Sequence, residues 1–168
     1  ETQSEVSLEQ YLQMIKLKTS VLLAASLKMG AIVGGATRNN CDRLYGFGKN
    51  LGIAFQIQDD YLDCFGDPEK FGKAIGGDIR RGKKTFLLIK ALEMTGGAQR
   101  QRLKDLMQVD ADPDAAPDKV GEVLAIYKEC GVDKWARMLL EEYAGKALKH
   151  MDEVVVVGSR KLPLQELT

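Results

Sequence analysis

Apolar positions recur every three to four residues along nearly the whole chain, the 3.6-residue period of helices that bury one face. Ser7 opens the first predicted helix, and Gln10, three residues on, completes a reciprocal capping box. Tyr11, Met14, Ile15, Lys18, Leu22 and Leu23 carry that helix forward into a small-residue stretch through Ala24, Ala25, Gly30, Gly34 and Gly35. Asn39 or Asn40 caps a second helix over 41–65, with the stripe Leu44, Phe47, Leu51, Ala54, Phe55, Gln58 and Leu62. Gly66-Asp67-Pro68 stops it, and residues 66–82 read as one long loop carrying five glycines. Loops of that length are commonly functional. Helical spacing resumes over 83–94 and 99–107, and a linker over 110–117 holds two prolines. Helices over 118–130 and 132–155 follow, and Pro163 suits the first turn of one more. Val154 to Val157 is the one strand-like run, and it reads as the packed end of the preceding helix. With no internal repeat, the pattern predicts an all-α, multi-helix bundle over 1–168 as a single domain.

Composition narrows the chemistry. Lysine plus arginine total 24 and aspartate plus glutamate total 24, which gives no reason to expect nucleic acid or an anionic membrane as partner. No apolar run reaches the ~20 residues of a membrane span, and the polar start from Glu1 to Glu5 is unlike a signal peptide. Cys41, Cys64 and Cys130 are odd in number and far apart, which suits a reducing, cytoplasmic setting and provides no zinc spacing. His150 is the single histidine, which argues against a histidine metal site or a Ser-His-Asp triad. Carboxylates, lysines and hydroxyls remain.

The carboxylates are concentrated in Phe55-Gln56-Ile57-Gln58-Asp59-Asp60-Tyr61-Leu62-Asp63. Asp59 and Asp63 share a helix face, Asp60 lies on the adjoining edge, and Gln56 stands one turn before. Three carboxylates on one turn repel, and more strongly away from water. The flanking Leu51, Ile53, Ala54, Phe55, Ile57 and Leu62 predict a helix buried on most sides. A divalent cation would relieve the repulsion, and an all-oxygen donor set suits Mg²⁺ that shares its shell with phosphates. A solvated acidic surface is the alternative.

Opposite charge follows directly, in Gly72-Lys73 and in Gly76-Gly77-Asp78-Ile79-Arg80-Arg81-Gly82-Lys83-Lys84-Thr85. Gly77 to Lys83 approaches a P-loop, but Lys84 stands where Ser or Thr belongs and no strand precedes it. An EF-hand is excluded by the lack of alternating ligands after Asp59. Glycines beside lysines at a helix start still favour an anion, against the plainer reading of a basic solvent loop. Lys18-Thr19 lies within the first helix, where the lysine can snorkel and the threonine can bond back to its own helix.

These stretches together resemble the trans-polyprenyl diphosphate synthases, the farnesyl and geranylgeranyl diphosphate synthases among them. The residues from Phe55 to Asp63, Gly66-Asp67-Pro68, Gly72-Lys73 and Gly76-Gly77-Asp78-Ile79 are similar to that family's second aspartate-rich region. Gly82-Lys83-Lys84-Thr85 matches its continuation, and Lys18-Thr19 its upstream Lys-Thr pair. The resemblance implies an isoprenoid-synthase-type helical bundle and a prenyltransferase joining an allylic diphosphate to isopentenyl diphosphate. It implies Mg²⁺ held by Asp59, Asp60 and Asp63, with the diphosphate contacted by Lys18, Lys73 and Lys83. It places Thr19 and Gln56 toward the allylic carbon, where their dipoles stabilise the developing cation. A cytoplasmic homodimer is implied as well.

The family carries an earlier aspartate-rich motif on a facing helix, and no second Asp-Asp-x-x-Asp occurs in this chain. The expectation is therefore the C-terminal half of such an enzyme, holding half the site and inactive alone. A related terpene cyclase is disfavoured by the Lys-Thr pair and the Gly-Gly-Asp loop. A non-catalytic helical partner subunit is disfavoured by the intact motif.

Overall fold

The computed structural model describes residues 6–72, 74–108 and 118–167, with the backbone alone at Phe71. Ten α-helices and no strand occur among them. They are α1 (Leu8–Ile15), α2 (Val21–Val33), α3 (Arg38–Phe65), α4 (Pro68–Phe71), α5 (Gly77–Arg80), α6 (Phe86–Met94), α7 (Gly97–Gln108), α8 (Lys119–Glu129), α9 (Val132–Asp152) and α10 (Leu162–Gln165). The all-α class follows the hydrophobic period, and none of these helices is long and apolar enough to cross a membrane.

Local chemistry sets several boundaries. The capping box forms as its residues predict: the Ser7 N–H donates to Gln10 Oε1 (2.9 Å) and the Gln10 N–H to Ser7 Oγ (3.2 Å). Asn39 and Asn40 are not caps but lie inside α3, where Thr37 Oγ1 accepts the Asn40 N–H. Asn40 instead pairs side chain to backbone with Val155, donating to its carbonyl (3.2 Å) and accepting its N–H (3.0 Å). Val154 to Val157 is neither strand nor helix, since α9 ends at Asp152. The 66–82 stretch contains two short helices, α4 and α5, in place of a structureless loop. The predicted 110–117 linker lies outside the described residues.

The helices group into two compact units. One comprises residues up to 11 together with 57–137. Its core is α6, buried at Phe86, Leu87, Leu88, Ile89 and Ala91, with Leu103 and Leu106 of α7 and Val123, Ile126 and Tyr127 of α8. The Phe86 ring lies 6.1 Å from both Tyr11 and Trp135, spacings at which tilted rings attract.

The other unit comprises 12–56 and the residues from 138 onward. Phe47, Ala147, Met151 and Val154 are buried at its centre, with Leu27, Leu44, Leu51 and Leu164 against them. Gly52 of α3 is a close-approach position: a Cβ there would sit 2.7 Å from the Cα of Ser20. The chain immediately after Lys18-Thr19 is thereby pressed onto α3 one turn before Gln56.

The first predicted helix is interrupted. Lys16–Ser20 forms a π-helical segment between α1 and α2, with the Val21 N–H donating back to Lys16 O. Buried positions then run Tyr11, Ile15, Ser20, Ala24, a step of five where the extra residue is inserted. Leu22, which the sequence period puts on the same stripe as Tyr11 and Ile15, is 70% exposed.

Candidate functional site

Along α3 the buried stripe in this region is Ile57, Asp60 and Cys64, while Phe55, Gln58 and Asp59 are exposed and Asp63 is half-buried. Of the flanking residues expected to bury the helix on most sides, Ile53, Ala54 and Ile57 are buried, Leu51 and Leu62 are half-buried and Phe55 is exposed. Asp60, 0% exposed, is turned inward. Its Oδ2 accepts a short hydrogen bond from the Tyr11 hydroxyl, and its Oδ1 accepts from Lys83 Nζ at 3.0 Å.

Lys83 also donates to Asp78 Oδ2 at 2.7 Å, so one ammonium bridges two carboxylates. Asp78, itself buried, receives Arg81 on Oδ1 at 2.7 Å. The Asp78 N–H, in the first turn of α5, donates to Asp63 Oδ2 at 2.9 Å. Gly76 makes that turn possible. Its φ of +79° is the left-handed region, and a Cβ there would meet Val120 Cγ1 at 2.4 Å. Its N–H donates to Asp63 O at 2.6 Å.

Charge follows geometry. Burial pushes the Asp60 carboxyl up from its ordinary value, opposed by the hydrogen bond from Tyr11 and by Lys83. Burial also raises the Tyr11 hydroxyl, and the Asp60 charge adds to it. For Lys83, burial pulls the ammonium down, but bonds and charges from Asp78 and Asp60 outweigh it and the net shift is upward. Cys64, buried beneath the same carboxylates, is pushed up to about 12, so it stays a thiol near neutrality.

Among the described residues no three of His, Cys, Asp and Glu converge into a cation cage. Asp60 is turned inward, Asp59 is exposed, and Asp63, one turn on, is half-buried with Oδ2 taken by the Asp78 N–H. Two hard oxygen donors fit Mg²⁺ that keeps waters and completes its shell with phosphate oxygens, and do not fit an all-protein site. Lys83 is held by two carboxylates, and its side chain is 42% exposed. Lys18 is exposed in the π-helical segment, Thr19 is half-buried, and Gln56 is half-buried on α3. Lys73 lies outside the described residues.

Sequence reasoning missed roles for Tyr11 and Asp78. Tyr11 looked like one more core residue, although a lone acid among the cations after Gly77 could have marked Asp78. A cavity of ≈ 660 Å³ lined by Lys84, Leu88, Leu92, Arg100, Lys104 and Met107 contains none of the three aspartates.

The profile of the polyprenyl synthetase family matches residues 1–127. A short chain isoprenyl diphosphate synthase from Methanothermobacter thermautotrophicus is 35% identical over 153 residues, covering 90% of this chain and 45% of its own. A geranylgeranyl diphosphate synthase from Sulfolobus acidocaldarius is 35% identical over 154 residues, with 92% and 46% covered. The crystal structure of geranylgeranyl pyrophosphate synthetase from Pyrococcus horikoshii superposes with a TM-score of 0.86 at 32% identity, covering 98% of this chain and 49% of that one. The chain thus spans about half the length of the relatives it matches.

Proposed function

We propose, for a chain that belongs to the polyprenyl synthetase family, that it forms the C-terminal half of a prenyltransferase. The reaction is condensation of an allylic diphosphate with isopentenyl diphosphate to a longer trans-polyprenyl diphosphate of farnesyl or geranylgeranyl type. The C-terminal assignment rests on residues 8–92 resembling the second aspartate-rich region and its flanks. Homodimer and cytoplasmic location carry over with the resemblance alone.

The observation that carries the reading is the division of labour on one turn of α3. Asp59 is exposed and Asp63, half-buried with Oδ2 on the Asp78 N–H, keeps its other oxygen toward a ligand, while Asp60 is buried and tied to Lys83, which also holds Asp78. Breaking an allylic C–O bond leaves a diphosphate, whose developing charge needs preorganised cations. Asp59 and Asp63 would hold Mg²⁺, which supplies Lewis-acid charge to the departing diphosphate. Lys18 and Lys73 would contact the same diphosphate, and Lys83 would act one step removed by neutralising the aspartates. Thr19 and Gln56 would turn their dipoles to the allylic carbon. The Lys-Thr pair sits in a π-helical segment, a local widening that often marks functional sites.

The test is an assay of the complete enzyme with labelled isopentenyl diphosphate and allylic diphosphates of increasing length. Mg²⁺-dependent elongation, abolished by chelator, is expected. No product from any allylic substrate would overturn the reading in favour of a non-catalytic partner subunit.

A further inference from the structure

Tyr11 is 2% exposed, and its ring lies 6.1 Å from that of Phe86. A phenylalanine would fill the same apolar space, so the hydroxyl is the informative group. A buried tyrosine hydroxyl usually finds a partner, and this one donates to Asp60 Oδ2. A buried carboxylate costs several kcal/mol unless it is paired and hydrogen-bonded. Asp60 meets that condition through Tyr11 on one oxygen and Lys83 on the other.

The links continue without a gap. Lys83 donates to Asp78 Oδ2 at 2.7 Å, and the Asp78 N–H donates to Asp63 Oδ2 at 2.9 Å. Tyr11 thus stands at the buried end of a line whose open end is a carboxylate beside Asp59. Without the hydroxyl, Asp60 Oδ2 loses that donor, and the carboxylate is held less firmly in the orientation that meets Lys83.

We propose that Tyr11 is a positioning residue, pinning Asp60 and, through Lys83 and Asp78, fixing the Asp63 carboxylate for a divalent cation bound with diphosphate. The proposal rests on the prenyltransferase reading for the identity of that ligand. It goes beyond that reading in giving a task to a side chain that touches neither metal nor substrate.

The experiment compares Tyr11→Phe with the parent chain in Mn²⁺ binding, read by electron paramagnetic resonance of free Mn²⁺ with inorganic diphosphate present. Groups that orient a metal ligand from behind typically alter affinity by about 10- to 100-fold, and Tyr11→Phe should weaken Mn²⁺ by at least about 10-fold. In the complete synthase the Mg²⁺ concentration for half-maximal turnover should rise in parallel. A purely packing tyrosine would lower thermal stability and leave both metal readouts unmoved, which overturns the proposal. Should Tyr11→Phe not fold, Asp60→Asn takes its place. It keeps the shape but drops the charge holding Lys83, and unchanged Mn²⁺ affinity there overturns the proposal too. A complete synthase that binds Mn²⁺ with diphosphate yet transfers no prenyl group would sink the functional reading while the Mn²⁺ comparison still judges Tyr11. A complete synthase that binds none overturns both.

Discussion

Asp59 and Asp60 are neighbours in sequence, about 100° apart around α3, and live in different media. Asp59 is exposed, so Asp59→Asn should alter folding stability by no more than about 0.5 kcal/mol. Asp60→Ala would strand the Tyr11 hydroxyl and unbalance Lys83. Breaking a buried pair costs about 3–5 kcal/mol, and the low end is expected because the Lys83 side chain is 42% exposed. Urea denaturation of the two variants checks the contrast. The sequence shows three aspartates on one turn but not which is buried, because that depends on partners far along the chain. Tyr11 lies 49 residues before Asp60 and Lys83 lies 23 after, and local spacing carries no record of either.

At the scale of elements, helix periods were legible and their interruptions were not. The π-helical segment shifts the phase after Lys16, so Ser20 and Ala24, and not Leu22, continue the buried stripe of Tyr11 and Ile15. Its last residue, Ser20, is fully buried, and its Oγ has no hydrogen-bond partner among the described residues. Ser20→Ala should raise stability by about 1 kcal/mol, by removing a hydroxyl that has lost water without gaining a bond, and thermal melting checks it. The α9 packing also bears on pH. A Cβ on Gly46 of α3 would lie 2.7 Å from the His150 ring, and Nδ1 is buried with no partner among the described residues. Burial holds this imidazole below its ordinary 6.5, with Arg43, Lys49 and Lys149 adding to the effect and Glu153 opposing it. The unfolded chain therefore takes up a proton that the folded chain resists. The His150 contribution to stability is intact above pH 6.5 and is lost progressively as pH falls through that value toward the depressed folded one. The melting temperature should drop more between pH 7.5 and 5.5 in the parent chain than in His150→Gln, and equal drops would remove His150 from the account.

On the scale of the whole molecule, the all-α class was legible because a 3.6-residue period sustained along the chain leaves no other fold class. What the period does not reveal is which apolar faces remain uncovered. In the unit built on 12–56, Met14, Leu17, Leu22, Met29, Ile32 and Phe55 are each at least 45% exposed, and Val33 reaches 89%. Apolar exposure of this extent drives association, so the 168-residue chain alone should sediment as more than a monomer. A strictly monomeric chain at micromolar concentration would contradict that expectation.

The central claim is that Asp59 and Asp63 hold the cation that meets the diphosphate while Asp60 holds the frame. Prenyl transfer by the complete synthase carrying Asp59→Asn, followed across Mg²⁺ concentrations, tests it most directly. A metal-borne charge stabilisation of several kcal/mol corresponds to a loss of about three orders of magnitude in turnover, with folding stability retained. Near-normal turnover in Asp59→Asn, with unchanged Mg²⁺ dependence, would contradict the account.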